Sequence, residues 1–385
     1  MATADPAPSG VPKYFPALDG LRLFCYLCVA TNHAFSDAQI HQNAAHPLAF
    51  MRDFMANLGR PGVDVFFTLS GFLITKLLLE EREKHGRIDL KAFYARRTLR
   101  IWPVYYTALG VAVLASVLFG PRFLLPLGCT ESPRLYRVIY PAFALFVGNY
   151  VEGSLPSPIN VLWSLCVEEQ FYVLFPATFA FAARKAPVTH VVMVYAIASY
   201  LLRAGAYAAG WNVARLWHVT SWADNLLIGA ALAQALMVAP QALISRMKRL
   251  GLTGEVLAIL TVLGSAFFDR VPETLSMGAF SPYLLEPYAT GLLVAVIGLG
   301  DGPVARFMSR RPLRYLGGLT YAAYVFHEYG EAIGWRILRI PGMDRWLVAS
   351  LRAVIASALG LLFAYGSKLL IEDRFAGLKK RFSRT

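Results

Sequence analysis

The chain has 385 residues, 57% of them hydrophobic and 16% charged, with a mean hydropathy of +0.49. A soluble domain is nearer about 45–50% apolar and 25% charged, so this composition excludes an ordinary water-soluble globule. The net charge of +13 suggests nucleic acid only in a soluble chain; here Lys and Arg fall mostly between apolar blocks, so they report membrane topology and no nucleic-acid partner is expected.

The first residues, MATADPAPSGVPKYFP, are polar and rich in Pro and Ala. No charged segment leads directly into an apolar run, so residues 1–17 read as a flexible cytoplasmic tail and not a cleaved signal. About ten apolar segments follow, judged against the roughly 20 residues a spanning helix needs. Their limits are near 21–38, 62–79, 103–119, 161–183, 188–209, 222–239, 253–268, 284–300, 314–334 and 346–371. The expected fold is an all-α polytopic membrane protein with about ten transmembrane helices and both termini in the cytoplasm. Its transmembrane domain runs over 18–373, and 374–385 forms a basic cytoplasmic tail. The loop after the second span carries Arg82, Lys84, Arg87, Lys91, Arg96, Arg97 and Arg100, and the C-terminal tail carries Arg374, Lys379, Lys380, Arg381 and Arg384. With the N-terminus inside, these clusters lie inside, as positive residues prefer. The longest outer segment is about 120–160. Cys25 and Cys28 have C-x-x-C spacing inside an apolar run, which reads as two small residues one helical turn apart. No internal repeat of the transporter kind stands out.

Ionisable groups inside spans are functional candidates. One set lies at the cytoplasmic edge: Asp19 and Arg22 in LDGLR, and Arg96, Arg97 and Arg100 before the third span. Arg97 and Arg100 share a helix face, and paired guanidinium groups suit phosphates. They equally suit a role as topology anchors. The other set lies toward the outer side. It comprises His33, about 16 Å along the helix from Arg22, with Asp64, Glu168, Glu169, Asp224, His327 and Glu328. An imidazole among carboxylates supports a general base oriented by an acid, or a proton relay in a transporter. The residue types alone leave both open.

The motifs favour one. LDGLR followed by His33 forms R-x10-H. GVDVFFTLSGFLI spans 62–74, RRTLRIWPVYY 96–106, WSLCVEEQFYVLFP 163–176 and LGGLTYAAYVFH 316–327. In this order and spacing the chain resembles the membrane acyltransferase-3 family, whose members acylate bacterial surface polysaccharides and some antibiotics, from about Phe15 to the last span. The resemblance implies a ten-helix membrane domain in the bacterial inner membrane. It implies acetyl-CoA or another acyl-CoA as co-substrate, with no permanently bound cofactor and no metal, and an acceptor hydroxyl on a sugar-containing molecule. It makes Arg22 and His33 essential, His33 as the catalytic residue, and Arg97–Arg100 the R-x-x-R element. Some members add a soluble transferase domain at the C-terminus; none follows here, so no handover within the same protein is expected.

The expected mechanism places the phosphates of coenzyme A on Arg22, Arg97 and Arg100, and the acceptor proton on His33. Glu168 orients the imidazole, as in hydrolase triads. Asp19, Asp64, Trp163, Glu169, Tyr172, Asp224 and His327 are supporting or acceptor-side residues. An acyl-histidine intermediate stays open. The alternatives are acylation of a small molecule, such as a macrolide or lipo-oligosaccharide, and a proton-coupled transporter.

Overall fold

The computed structural model describes residues 10–36, 49–120, 135–151, 158–182, 213–268, 286–338 and 343–380, with residue 382 and scattered positions between 190 and 205. Among these residues the protein is helical and contains no strand. The helices are α1 (Pro16–Phe35), α2 (Ala49–Met55), α3 (Gly59–His85), α4 (Leu90–Phe119), α5 (Tyr140–Ala144), α6 (Leu162–Ala182), α7 (Val213–Val238), α8 (Pro240–Phe268), α9 (Glu286–Leu299), α10 (Pro303–Met308), α11 (Arg311–Gly318), α12 (Thr320–Ile337), α13 (Arg345–Ser367) and α14 (Asp373–Lys380).

Nine of the ten apolar segments read from the sequence coincide with helices, and the one at 188–209 falls largely outside the described residues. Among the described residues, three helical stretches are long and apolar enough to cross a membrane: Phe50–His85, Leu90–Phe119 and Arg345–Leu378. A fourth arises if Ala223–Val238 and Pro240–Gly264, bent by 114° at their junction, form one broken span. Pro240 explains the break, because its ring clashes with the preceding turn and it lacks the N–H that would continue the ladder. Part of the expected outer loop is itself ordered: Leu135–Ile139 forms a π-turn running into α5. This is the build of a membrane protein, nearly all helical with several apolar helices.

The chain divides into two compact units. The first comprises Met1–Cys25, Arg60–Ile88 and Thr178–Gly318. Its core packs Phe15, Leu18, Phe72, Leu236, Ile297 and Met308. Helices α3 and α7 touch backbone to backbone at two glycines. A Cβ on Gly71 would collide with the carbonyl of Leu226, and one on Gly229 with the carbonyl of Thr68. Glycine at such crossings lets apolar helices approach closely where no hydrophobic effect drives them together. Glu255 on α8 is fully buried and accepts from the first free N–H groups of α10, Val304 N at 3.0 Å and Ala305 N at 2.8 Å. It thereby satisfies donors a helix start leaves open.

The second unit comprises Tyr26–Gly59, Asp89–Ala177 and Leu319–Thr385. Asp89 caps α4 by accepting from Ala92 N at 3.0 Å. Helices α12 and α13 pack along small residues. The buried face of α13 is Ala349, Arg352, Ala356, Gly360, Ala364 and Ser367. From α12, Gly330 lies against Ala356, and Gly360 of α13 lies against the backbone of Ala323 and His327. The Tyr26 hydroxyl on α1 donates to the Ser357 carbonyl at 3.0 Å, tying α1 to this pair.

These contacts make opposite forecasts for two glycines. Gly71→Ala should destabilise the protein by about 1–3 kcal/mol, the usual cost of overpacking. Gly110→Ala, with open space around the added carbon, should be neutral or stabilising by up to about 1 kcal/mol. Thermal unfolding in detergent compares them, and equal effects would remove the close α3–α7 crossing.

Candidate active site

The main cluster of titratable groups lies in the second unit. His33 stands near the end of α1, and its Nδ1 is 2.8 Å from Oε1 of Glu328 on α12. Next to Glu328 in sequence, His327 is fully buried, and its ring centroid is 5.2 Å from that of His33. Nδ1 of His327 lies 2.6 Å from the Tyr324 carbonyl and donates its proton there, since a carbonyl only accepts. His327 Nε2 therefore carries a lone pair, and it has no hydrogen-bond partner among the described residues. Tyr324 links the same helix to α6 through a 2.8 Å hydroxyl contact with Ser164.

The His33 side chain is 26% exposed, whereas Glu328 is 4% exposed. The imidazole is thus reachable while its carboxylate partner is shielded. With the Nδ1 proton held by Glu328, His33 Nε2 is left to accept a proton, which is the geometry of a general base held by an acid. His33, His327 and Glu328 each offer a ligand-type atom within 4.8 Å of the others. His33 Nδ1 and Glu328 Oε1 bond to one another and His327 Nδ1 bonds to a carbonyl.

Glu331 follows Glu328 by one turn of α12 and is also buried. Its Oε1 accepts from Nε of the buried Arg352 on α13 at 2.8 Å.

At the other end of the second unit, the Arg97 guanidinium lies 4.5 Å above the ring of Tyr172. Glu169 Oε2 accepts from Trp102 Nε1 at 3.1 Å. Arg100 is exposed on α4. Tyr321 of α12 donates to the Ile101 carbonyl at 2.8 Å, fixing α12 beside the arginine-bearing turn of α4. Glu328 is seven residues further along α12, about 10 Å by helical rise.

The first unit holds a separate polar network. Arg60 NH2 is 3.1 Å from Glu286 Oε2. Asn225 donates to Asp64 Oδ1 at 2.7 Å, Thr290 donates to Asn225 Oδ1 at 2.9 Å, and Thr68 donates to Thr290 at 2.8 Å. Three helices, α3, α7 and α9, are joined this way. Asp19 and Arg22 form a 3.0 Å pair on α1, and the Tyr14 hydroxyl donates to Asp19.

Two assignments change. Glu168 was expected on the His33 ring, but the carboxylate bonded there is Glu328. The reason is register: Glu168 is on α6, whereas Glu328 lies on the face of α12 turned to α1. Tyr172, expected to shape the acceptor side, and Glu169, expected as an acceptor-side or supporting residue, neighbour Arg97 and Trp102 respectively. Tyr172 is nine residues beyond Trp163, about 13 Å further along α6, and this carries it toward the arginine turn. Trp163 and Asp224 are both half-buried, and Asn225, one residue on from Asp224, joins the Asp64 network. Arg60, Asn225, Glu286, Thr290, Glu331 and Arg352 were not singled out as site candidates. Glu331 and Arg352 had a legible signal, as charges within apolar helical segments.

Fold and site together define a helical, membrane-type protein in which His33, His327 and Glu328 cluster between α1 and α12. The family described as "Acyltransferase domain" matches residues 15–368. The chain belongs to this acyltransferase-3 family. It is 28% identical over 372 residues to a protein of Listeria monocytogenes named peptidoglycan O-acetyltransferase OatA, covering 94% of this chain and 55% of that one. It is 28% identical over 347 residues to the putative peptidoglycan O-acetyltransferase YrhL of Bacillus subtilis, covering 85% and 52%. It is 27% identical over 329 residues to the O-acetyltransferase OatA of Staphylococcus aureus, covering 82% and 50%. The chain thus spans about half the length of the curated relatives it matches. No solved structure matches it.

The geometry ranks the two carboxylates. Glu328→Gln should lower turnover by roughly two to four orders of magnitude, the range for disabling a general base. Glu168→Gln should stay within about tenfold of the parent, outside that range. The reverse order, measured per inserted molecule, would return the orienting role to Glu168.

Proposed function

We propose that the protein is a membrane O-acyltransferase, moving an acetyl group from acetyl-CoA to a hydroxyl of a cell-surface glycan of the peptidoglycan type. The observation that carries this is the 2.8 Å His33–Glu328 pair in a chain of the acyltransferase-3 family. The glycan acceptor is drawn from the names of the relatives.

The chemistry follows from the pair. His33 Nε2 takes the proton of the acceptor hydroxyl as its oxygen attacks the thioester carbonyl. The imidazolium formed is neutralised by Glu328, so no net charge is created in an apolar layer. Collapse of the tetrahedral intermediate breaks the carbon–sulfur bond. The proton passes from His33 to the departing thiolate, leaving an ester and free coenzyme A.

Arg97 and Arg100 take the phosphates of the donor, with Tyr172 steadying the Arg97 plane from below. Arg22 is retained as a further donor-side residue, and Asp64, with its network, as a support. The 10 Å run along α12 suits an extended pantetheine arm between the arginine turn and the base.

In this proposal residues 18–373 form one catalytic membrane domain of about ten spans in a bacterial inner membrane. Both termini lie in the cytoplasm, and the arginine turn faces that side.

Labelled acetyl-CoA supplied to membranes, with glycan products read by mass spectrometry, tests the chemistry. The parent should transfer label to glycan. His33→Gln should lose roughly two to four orders of magnitude, because an amide cannot take the proton. Arg97→Ala and Arg100→Ala should raise the donor KM, with partial recovery by Lys, which keeps the charge without the fork. A fully active His33→Gln protein would remove the base, and label appearing only on a small metabolite would change the acceptor class.

Orientation is checked separately. A reporter fused after Arg82 should read cytoplasm, and one near Ser132 the outer side. The opposite pair of results would invert the topology.

A further inference from the structure

The buried face of α13 is made of small residues with a single charge among them. Ala349, Ala356, Gly360 and Ala364 line it, and Arg352 stands in the same row. Such a face packs closely without any charge, as the contact of Ala356 with Gly330 of α12 illustrates. Burying an ion pair there is at best neutral for stability, and an apolar pair of similar volume often does better. Arg352 is 6% exposed and Glu331 is 7% exposed. Their bond runs through Glu331 Oε1, at 2.8 Å from Arg352 Nε, while Oε2 has no hydrogen-bond partner among the described residues.

Position explains the pair better than stability does. Glu331 is one helical turn from Glu328, so the two carboxylates share a face and repel. Among the described residues, the titratable groups facing His33 are Glu328, Glu331 and His327 from α12. Arg352 reaches this group from α13 through Glu331.

We propose that Arg352 is a positioning residue for acyl transfer: it neutralises Glu331, so that His33 works against the charge of Glu328 and not against two carboxylates. This rests on the proposed role of His33 as base. Without Arg352 a second negative charge faces the imidazole. That charge favours the protonated ring, which cannot accept the acceptor's proton. It also competes for the Nδ1 proton that Glu328 holds.

The test uses Arg352→Met, Arg352→Lys, Glu331→Gln and the Arg352→Met/Glu331→Gln double variant in the full chain. Turnover per inserted molecule, both KM values and the pH–rate profile are measured. Arg352→Met should lower kcat about 10–100-fold, the usual effect of losing a supporting partner, with both KM values little changed. Its acid limb should move up by about one pH unit, as expected for an added nearby carboxylate charge. Arg352→Lys should keep most activity. The double variant should recover most of the kcat and the parental acid limb, because the uncompensated charge is gone. A double variant as slow as Arg352→Met, or a parental pH profile in Arg352→Met, would reduce the pair to packing. A raised KM with unchanged kcat would make Arg352 a substrate contact and equally overturn the proposal. If Arg352→Met fails to insert, Glu331→Gln decides: its acid limb should move down, and an unmoved limb overturns the proposal. Failure of the base itself is seen apart from all this, as full activity in His33→Gln.

Discussion

A charge set among apolar helices must find its counter-charge there, because no water is at hand to solvate it. Much of the second unit follows from this constraint. His33 is bonded to Glu328 and Glu331 to Arg352, all within helices whose other faces are apolar. Each pair joins two helices, α1 to α12 and α12 to α13. The pairs that neutralise charge therefore also fix the helices on which the proposed chemistry rests. The first unit obeys the same constraint through Arg60, Asp64, Asn225 and Glu286.

Distances between such groups are set by backbone packing. Gly330 against Ala356 and Gly360 against His327 bring α12 and α13 close enough for Arg352 to reach Glu331. A bulky residue at any of these points would part the helices and leave a carboxylate without its cation. Unpairing a buried charge costs about 3–5 kcal/mol, more than the pair ever contributes. The small-residue stripes are thus a condition for the electrostatics.

Proton transfer suits this setting. In the proposed reaction, moving a proton from a neutral hydroxyl to His33, beside Glu328, turns a single carboxylate charge into a neutral ion pair and an alkoxide-like oxygen that is consumed by the thioester. A shielded carboxylate and a reachable imidazole meet that need. The exposed Arg100 and the ring-stacked Arg97 lie elsewhere in the same unit, where the proposed donor's phosphates would be matched without bringing their charge to His33.

Composition, apolar segment length and the placement of Lys and Arg sufficed for an all-helical, membrane-type chain, because span length and charge asymmetry are local properties. The motif R-x10-H with its companions sufficed for the family and singled out His33, since both ends of that motif lie on one helix. What the sequence left undetermined was which residue faces which across helices. From the sequence, Glu168 is the expected partner of His33, with Glu328 only a member of the same outer set, and the rotation and register of α6 and α12 give the contact to Glu328. The same holds for Tyr172, carried by helical rise to Arg97, and for Asn225, turned into the Asp64 network. Arg352 looked like one more cation in a helix until the tertiary structure set it opposite Glu331. Pairing across helices depends on angles that no single helix encodes, and for that physical reason the tertiary structure alone supplied it.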